Sequence, residues 1–213
     1  MMIACNWRDF LTESSRDLLS CEDIAATIAP EAAQSGWLGY PPATEAEIAA
    51  AEARLGVRLP PSYRAFLTTT NGWREAGFFI HQLWPVQEIG WYAARHQDLI
   101  DAWMSGAGYY GPAPPVPDEA YFVYDDKQAA LRDEYLQTAL EISDDTGDGV
   151  CLLNPKVVFP DGEWEAWFFA HWIPGAHRYR SFWDLMQAER ERFLYIRAHN
   201  YMRAGSTYQR KRP

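Results

Sequence analysis

The chain lacks any apolar run long enough to cross a membrane. None of its stretches approaches the ~20 consecutive apolar residues that a transmembrane helix needs. At the N-terminus, the segment MMIACNWRDF carries charge where a secretory signal peptide has its apolar stretch. The sequence therefore predicts no membrane association and no secretion, and we expect the protein in the cytoplasm.

Cysteine is scarce, and the sequence offers no pattern of metal ligands. The three cysteines, Cys5, Cys21 and Cys151, are widely spaced and form no C-x-x-C pair. Such a set is typical of thiols in a reducing compartment, not of a disulfide framework. The five histidines have no matching cysteine pair with which to build a zinc site. We expect neither a metal ion nor a cofactor.

The acidic stretch from Asp144 to Gly149 resembles a calcium loop in one respect only, its closely spaced acids. An EF-hand loop needs a glutamate at its twelfth position, and the twelfth residue counted from Asp144 is Pro155. The sequence favours an acidic hairpin turn instead, in which Gly147 and Gly149 supply the turn dihedral angles.

Basic charge is also in short supply: 19 lysines and arginines stand against 29 acids, and the net charge is −10. This balance argues against direct binding to nucleic acid, whose phosphates would be repelled, and it suits a basic protein partner. The charge is unevenly distributed. Ten acids and two bases lie between Asp118 and Asp148, whereas nine bases and three acids lie from Arg178 to the end.

Motifs that carry catalytic chemistry are missing. No glycine-rich phosphate loop is present, and Ser14, Ser15 and Ser181 lack the context of a nucleophile elbow. Cys151 lies within an apolar stretch, where burial would make its thiol unreactive. The sequence predicts a protein without enzymatic activity.

Glu163, Glu165 and Trp167 fall on one face of a predicted strand, because successive side chains point to opposite faces. A carboxyl group beside aromatic residues can serve as a general acid when burial raises its pKa. The same carboxylates could instead pair with Arg178 or Arg180 and have a structural role. No second catalytic group lies at a recognisable spacing, which favours the structural alternative.

The most informative segment runs from Pro42 to Trp73, PATEAEIAAAEARLGVRLPPSYRAFLTTTNGW. Thr44 and Glu47 form a capping box at the start of a helix that Gly56 ends. Pro60-Pro61 then begins a second helix, since proline suits the first helical turn. The segment predicts two short helices joined by a tight, proline-containing turn.

This arrangement resembles the opening of the SUKH superfamily, which includes bacterial immunity proteins and yeast regulators of cell-wall synthesis. The resemblance is carried by Arg54-Leu55-Gly56, Leu59-Pro60-Pro61-Ser62-Tyr63 and Phe66-Leu67 leading to Asn71-Gly72-Trp73. Further matches are Gly147-Asp148-Gly149 before Leu152-Leu153, Glu163-Trp164-Glu165-Ala166-Trp167, and Ser181-Phe182. The resemblance covers about Pro42 to Phe193 and implies a binding fold without a shared catalytic apparatus.

The rest of the pattern predicts helices, strands, one helix, strands and a last helix. We expect helices from Asn6 and over about 22–33, strands at 77–80 and 83–89, and a helix over 91–104. Further strands are predicted at 121–124, 139–142, 150–153, 157–159 and 163–172, and Ser181 caps the last helix. This order predicts an α+β fold, a mostly antiparallel sheet with helices packed against it. We divide the chain into an N-terminal helical extension (1–36), a SUKH-like domain (37–196) and a basic C-terminal tail (197–213).

The resemblance and the charge together suggest an immunity protein that binds and neutralises a cognate bacterial toxin, for example a nuclease with a basic cleft. We expect the contact surface to combine acids with aromatic side chains. Its predicted residues are Asp118, Asp125, Asp126, Asp144, Asp145, Asp148, Glu163, Glu165 and Trp167. Two alternatives are a regulatory or scaffold module that binds endogenous partners, and a small-ligand binder or hydrolase. The sequence does not indicate an oligomeric state.

Overall fold

The computed structural model describes residues 5–105, 115–124, 130–145, 147–170 and 172–199. The longer helices are α1 (Trp7–Leu19), α4 (Glu45–Leu55), α5 (Pro61–Thr69), α6 (Ala93–Met104) and α8 (Phe182–Ala198). The shorter ones are α2 (Glu22–Ala25), α3 (Pro30–Ser35), α7 (Asp118–Tyr121) and a 3₁₀ helix at Asp133–Thr138. The predicted loop over 106–117 and the basic tail fall largely outside the described residues.

The helices begin at the capping residues that the sequence indicates. Asn6 accepts a hydrogen bond from the Asp9 N–H at the start of α1, and Ser181 does the same for Asp184 at α8. Thr44 and Glu47 complete a reciprocal capping box at α4. These contacts satisfy N–H groups that have no partner within the helix. The predicted starts of these helices are confirmed.

Within the described ranges, the strands form two antiparallel sheets. Strands β1 (Trp73–Arg74) and β2 (Gln82–Leu83) pair with each other. A larger sheet has the order β3-β4-β5-β6-β7. Its strands are β3 (Gly90–Trp91), β4 (Leu140–Glu141), β5 (Val150–Val158), β6 (Trp164–Phe169) and β7 (Ala176–Tyr179). Helices packed against an antiparallel sheet confirm the predicted α+β class.

Strand β5 runs through Asn154-Pro155 as one element, so the prediction of two separate strands there was wrong. Its pairing with β6 shifts register between Asn154 and Val158. Proline cannot donate a hydrogen bond to a neighbouring strand, and an irregularity in the pairing accommodates it without ending the strand.

Four other predicted elements differ from the structure. Residues 77–79 form bends, so that the predicted strand at 77–80 is absent, and residues 83–89 are extended only at the start, before Pro85. The predicted strand at 121–124 is instead the end of α7 and the loop after it. Between Glu22 and Ala33 there are two helices, because Pro30 holds the preceding Ala29 in an extended conformation.

The core occupies both faces of the large sheet. Along β6, Trp164, Ala166 and Phe168 point into a cluster beneath α1, α4, α5 and α8. Trp167 and Phe169 point into a second cluster that includes Tyr92 and Ile100. This alternation confirms the predicted two faces of the strand. All six residues of β6 are buried, as expected for an interior strand covered on both sides.

The N-terminal helix packs into the first of these clusters. The Trp7 ring centroid lies 5.3 Å from that of Phe66 on α5 and 5.4 Å from that of Phe182 on α8. Its indole N–H donates to the Ser62 carbonyl at 3.0 Å. Helix α1 thus shares a core with the predicted 37–196 domain, and the domain boundary at residue 36 stays a prediction.

A buried carboxylate, that of Glu165, lies within β6 on the face of the second cluster. Side chains from β5, β6, β7 and α7 donate to it, together with one side chain from the loop after α7. The donors are Tyr121 Oη (2.7 Å), Tyr124 Oη (2.8 Å), Asn154 Nδ2 (2.9 Å), Trp167 Nε1 (2.8 Å) and Arg178 Nη1 (2.8 Å). The Arg178 and Glu165 side chains are 2% and 0% exposed, so this ion pair is shielded from water.

Glu165→Gln should lower the free energy of unfolding by about 3–5 kcal/mol, because it leaves the Arg178 guanidinium buried without its counter-charge. Urea unfolding at neutral pH measures the change. The matched control is Glu119→Gln, since Glu119 is exposed on α7; that variant should stay within about 0.5 kcal/mol of the parent protein. A loss below 1 kcal/mol for Glu165→Gln would contradict the prediction.

Candidate functional site

The acidic hairpin between β4 and β5 contains Asp144, Asp145 and Asp148. Asp144 Oδ1 accepts from the Gln82 N–H at 2.9 Å, and Asp145 Oδ1 accepts from the Gly147 N–H at 3.0 Å. Asp145 and Asp148 are exposed, whereas Asp144 is half-buried. Burial raises the pKa of Asp144, more than its hydrogen bond to Gln82 lowers it. The hairpin therefore presents two solvent-exposed carboxylates, those of Asp145 and Asp148. The third, that of Asp144, ties the hairpin to the backbone of Gln82.

Glycine at position 149 allows the hairpin to lie against the sheet. A Cβ at Gly149 would be 2.5 Å from Phe168 Cζ, so any larger residue would displace the ring. Gly147 has a φ of 86° and supplies the left-handed turn residue. The prediction that both glycines serve turn dihedral angles is therefore confirmed for Gly147, while Gly149 serves a close packing contact.

An exposed aromatic side chain adjoins this hairpin. The Trp172 indole N–H donates to the Asp148 carbonyl at 3.0 Å, and the residue remains 49% exposed. Its ring lies 5.5 Å from Phe79 and 6.0 Å from Phe168, measured between centroids. Trp172 is thus held in place while much of its ring faces solvent. We define the acidic–aromatic surface as Asp145, Asp148, Trp172 and Phe79.

Glu75 is connected to the acidic–aromatic surface through His81. It is buried and has a φ of 52°, a left-handed conformation that is unusual for a residue with a side chain. Its carboxylate contacts Thr27 Oγ1 at 3.1 Å and His81 Nδ1 at 3.0 Å. His81 Nε2 lies 3.7 Å from Asp148 Oδ2. The contacts link the connection between α2 and α3 to the hairpin through Glu75 and His81.

Two residues predicted to contact a partner lie inside the protein. Glu165 and Trp167 are both 0% exposed, so the prediction that they form part of a binding surface was wrong. Sequence alternation placed them on one face of β6, and that face is covered by the second core cluster. The proposed pairing of Glu165 with Arg178 is confirmed, whereas Arg180 instead lies over the Phe159 ring.

Glu163 is half-buried, and its carboxylate is engaged within the fold. It accepts from the Ser62 N–H at 2.7 Å and from the Ser62 hydroxyl at 2.6 Å. Ser62 lies in the first turn of α5, where a carboxylate satisfies a free N–H and complements the helix dipole. Burial raises the pKa of Glu163. These contacts give Glu163 a capping role at α5.

The remaining predicted acids are separate from the hairpin in sequence. Asp118 is exposed in the first turn of α7 and pairs with Arg132. The bond to Asp118 is the main reason that the pKa of Arg132 is raised. Asp125 and Asp126 lie outside the described residues. Only Asp144, Asp145 and Asp148 are therefore brought together among the predicted acids that the structure describes.

A cleft of about 820 Å³ lies beside the hairpin. Its walls come from the end of α4, the 84–91 segment, the start of α6, and β4. The lining side chains include Arg54, Trp84, Trp91, Arg95, His96 and Asp145. Asp145 therefore borders both the cleft and the acidic–aromatic surface.

The base of the cleft contains a buried carboxylate with two partners. Glu141 is fully buried, and its carboxylate oxygens lie 2.8 Å from Arg95 Nη1 and 2.9 Å from His96 Nε2. His96 also stacks on Tyr92, with centroids 4.3 Å apart, and interrupts α6 with a φ of −129°. This cluster was not predicted, because β4 and α6 are about 45 residues apart in sequence and only the spatial pairing unites them.

The described residues contain no group of three or more His, Cys, Asp or Glu side chains arranged to hold a metal ion. None of the three cysteines forms a disulfide, and burial raises the pKa of Cys151 well above its usual value. No helix in the described ranges is long and apolar enough to span a membrane.

Comparison with known protein families shows which family the chain belongs to. The model of the SMI1/KNR4 family (SUKH-1) matches residues 42–192, well over half of the sequence. The protein belongs to this family, which confirms the resemblance seen in the sequence. Members are generally non-catalytic immunity or regulatory proteins that bind protein partners. No curated protein shows significant similarity to the chain.

Asp144→Asn should remove a half-buried charge while keeping the side-chain oxygen that accepts from the Gln82 N–H. The folded pKa of Asp144 is raised, so the carboxylate favours the unfolded state once both states are ionised. The stability advantage of the variant should be absent below the ordinary Asp pKa of about 3.9. It should grow as the pH rises through the raised pKa and then stay constant.

Urea unfolding of both proteins at several pH values between acid and neutral measures this difference. The control is Asp145→Asn, which removes a charge from the same hairpin at an exposed position; at neutral pH it should gain less stability than Asp144→Asn, because it relieves no burial. A stability advantage that shrinks with rising pH would contradict the prediction.

Proposed function

We propose that this protein is an immunity protein that binds a basic cognate toxin through the acidic–aromatic surface. The proposal depends on one observation above all: two exposed carboxylates of the β4–β5 hairpin lie beside a half-exposed tryptophan, Trp172, which the connection between β6 and β7 holds against that hairpin. Family membership supports a protein partner, and the net charge of −10 supports a basic one.

The chemistry of the surface suits tight, specific association. Exposed Asp145 and Asp148 would attract a cationic partner from a distance and orient it during encounter. Trp172 would then supply a large apolar contact, the type of residue that dominates binding energy at protein interfaces. Its ring is already fixed by the Asp148 carbonyl and Phe79, so little conformational entropy is lost on binding.

Neutralisation follows without catalysis by this chain. A nuclease binds its substrate in a cleft whose basic residues contact phosphates. An acidic surface that occupies this cleft would compete directly with the nucleic acid. The protein would then block the toxin by occupancy, which requires no catalytic group of its own and agrees with the proposal that it is not an enzyme.

Compared with the surface that the sequence predicts, the proposed surface is smaller and differs in its aromatic part. Asp145 and Asp148 are retained, and Asp144 supports them from beneath. Trp172 and Phe79 replace the buried Trp167 as aromatic contacts. Asp118 lies on a different element and is not part of this surface.

The test is capture of partners from the native host, with this protein as bait, at low and moderate salt. One stoichiometric basic protein that carries a toxin domain, and whose toxic activity the bait suppresses, supports the proposal. Recovery of endogenous regulatory proteins alone would favour a scaffold or regulatory role instead.

Charge reversal on the hairpin should weaken capture. Asp145→Lys with Asp148→Lys should lower affinity for the captured toxin by about tenfold or more at low salt, mainly through slower association. The effect should shrink at high salt, where exposed charges are screened. Surface plasmon resonance measures both rates. The matched control is Asp23→Lys with Glu31→Lys, because both acids are exposed on the N-terminal helices.

Trp172→Ala should instead weaken binding mainly by increasing the dissociation rate. Loss of a tryptophan at the centre of an interface costs about 2 kcal/mol or more, which corresponds to roughly thirtyfold in affinity. The matched control is Tyr195→Ala, since Tyr195 on α8 is 56% exposed. Equal affinity for the Trp172→Ala variant and the parent protein would remove Trp172 from the proposed interface.

A further inference from the structure

The cleft beside β4 has the size and composition of a ligand site. Its volume of about 820 Å³ falls in the range of about 300–1,000 Å³ that is typical of small-molecule pockets. Trp84 and Trp91 give it aromatic walls, and both are half-buried. What such a cleft binds depends on which of its charges are held in place and which are already paired.

Arg95 is fixed in the cleft from several sides. Its Nη1 donates to Glu141 at 2.8 Å, and its Nη2 donates to the Glu88 carbonyl at 2.7 Å. The guanidinium carbon lies 4.6 Å from the Trp84 ring centroid. A Cβ at Gly90 would be 3.1 Å from Nη1, so glycine leaves the room that the guanidinium needs. These contacts therefore hold the Arg95 guanidinium in one position in the cleft.

The fixed arginine keeps donors available for a ligand. A guanidinium has five N–H donors, and the contacts to Glu141 and Glu88 engage two of them. The Arg95 side chain is 42% exposed, whereas that of Glu141 is 1% exposed. A ligand in the cleft can therefore contact the Arg95 guanidinium. The Glu141 carboxylate, which orients that guanidinium, is buried and out of the ligand's reach.

A second arginine and three carboxylates, those of Glu88, Glu141 and Asp145, also line the cleft. Arg54 donates to the Val86 carbonyl at 3.3 Å and adds a second positioned guanidinium. Asp145 already accepts from the Gly147 N–H within its own turn. Glu88 is exposed, and a solvated surface carboxylate exerts only a weak field. The two arginines are therefore the groups of the cleft that can pair with an added anion, while Glu141 is buried, Asp145 is bonded within its own turn and Glu88 is solvated.

We propose that this cleft binds a small planar carboxylate with an aromatic body. Arg95 pairs with the carboxylate through parallel N–H donors, the geometry that guanidinium groups favour. Trp84 and Trp91 contact the ring, since aromatic surfaces pack well on each other. This site is chemically opposite to the acidic–aromatic surface, and it does not depend on the proposed immunity function.

The test compares benzoate with benzamidine, two planar probes of similar shape and opposite charge. Each is titrated into the ¹⁵N-labelled full-length protein, and the indole N–H resonances of Trp84 and Trp91 are followed. Trp84→Phe and Trp91→Phe variants assign these resonances. Benzoate should shift both resonances saturably, and benzamidine should not.

Arg95→Gln should weaken benzoate binding by about tenfold or more, because it removes a charge-assisted hydrogen bond. The control is Arg180→Gln, since Arg180 is exposed just beyond β7, at the opposite edge of the sheet from β3; it should bind as the parent does. If Arg95→Gln unfolds, as judged by loss of indole dispersion, Arg54→Gln takes its place with a smaller expected loss.

Three results would overturn the proposal. They are no saturable shift with benzoate, equal or stronger binding of benzamidine, and unchanged benzoate affinity in the arginine variants. A further comparison of Gly-Gly-Phe with its C-terminal amide shows where the carboxylate comes from. Binding of benzoate but not of Gly-Gly-Phe indicates a small free acid, whereas binding of both, with loss in the amide, indicates a peptide carboxyl terminus.

Discussion

The carboxylate of Glu165 accepts hydrogen bonds from five side chains, and these bonds tie three strands of the large sheet to the segment around α7. A buried charge is costly unless it is paired and fully hydrogen-bonded. The donors come from neighbouring strands and from the segment around α7, so each must keep its place for the charge to be tolerated. Arg178 also donates to the Tyr121 carbonyl at 2.6 Å and lies 4.0 Å from the Tyr121 ring centroid. The network thereby fixes a short helix, which has little stability by itself, over one face of the sheet.

A rigid sheet in turn gives the hairpin a defined position. Leu140 pairs with Leu153, the Ile142 N–H donates to the Cys151 carbonyl at 3.1 Å, and the Cys151 N–H donates to the Ser143 hydroxyl at 2.8 Å. Glu75 holds an unfavourable left-handed φ at a place where glycine would be unstrained. Its carboxylate contacts to Thr27 and His81 offset part of this strain. A surface that is ordered during folding loses less conformational entropy when a partner binds, because the partner need not impose that order.

The sequence predicted those features that depend on neighbours along the chain. The capping box of Thr44 and Glu47 and the turn at Gly147 need only a few adjacent residues, and strand alternation correctly assigned the two faces of β6. Other features depend on which distant segments meet. Alternation could not show that the face of Glu165 and Trp167 is covered by a second core cluster, nor that Glu141 meets Arg95 and His96 across about 45 residues. The aromatic contact at Trp172 was missed for the same reason, since only the folded hairpin brings its indole to the Asp148 carbonyl.

Strand β4 and the hairpin after it place two chemically different surfaces side by side. Glu141 in β4 points inward and orients the Arg95 guanidinium, which is the partly exposed member of the pair in the cleft. Asp145 and Asp148, a few residues later, point outward and leave an anionic surface. Because Asp145 borders both, a ligand in the cleft and a protein on the hairpin would each change the environment of the same carboxylate. Any difference in affinity that one imposes on the other must then be reciprocal, since binding free energies form a closed cycle. Binding at the cleft and binding at the acidic–aromatic surface would in this way be coupled through the one short turn that carries Asp145.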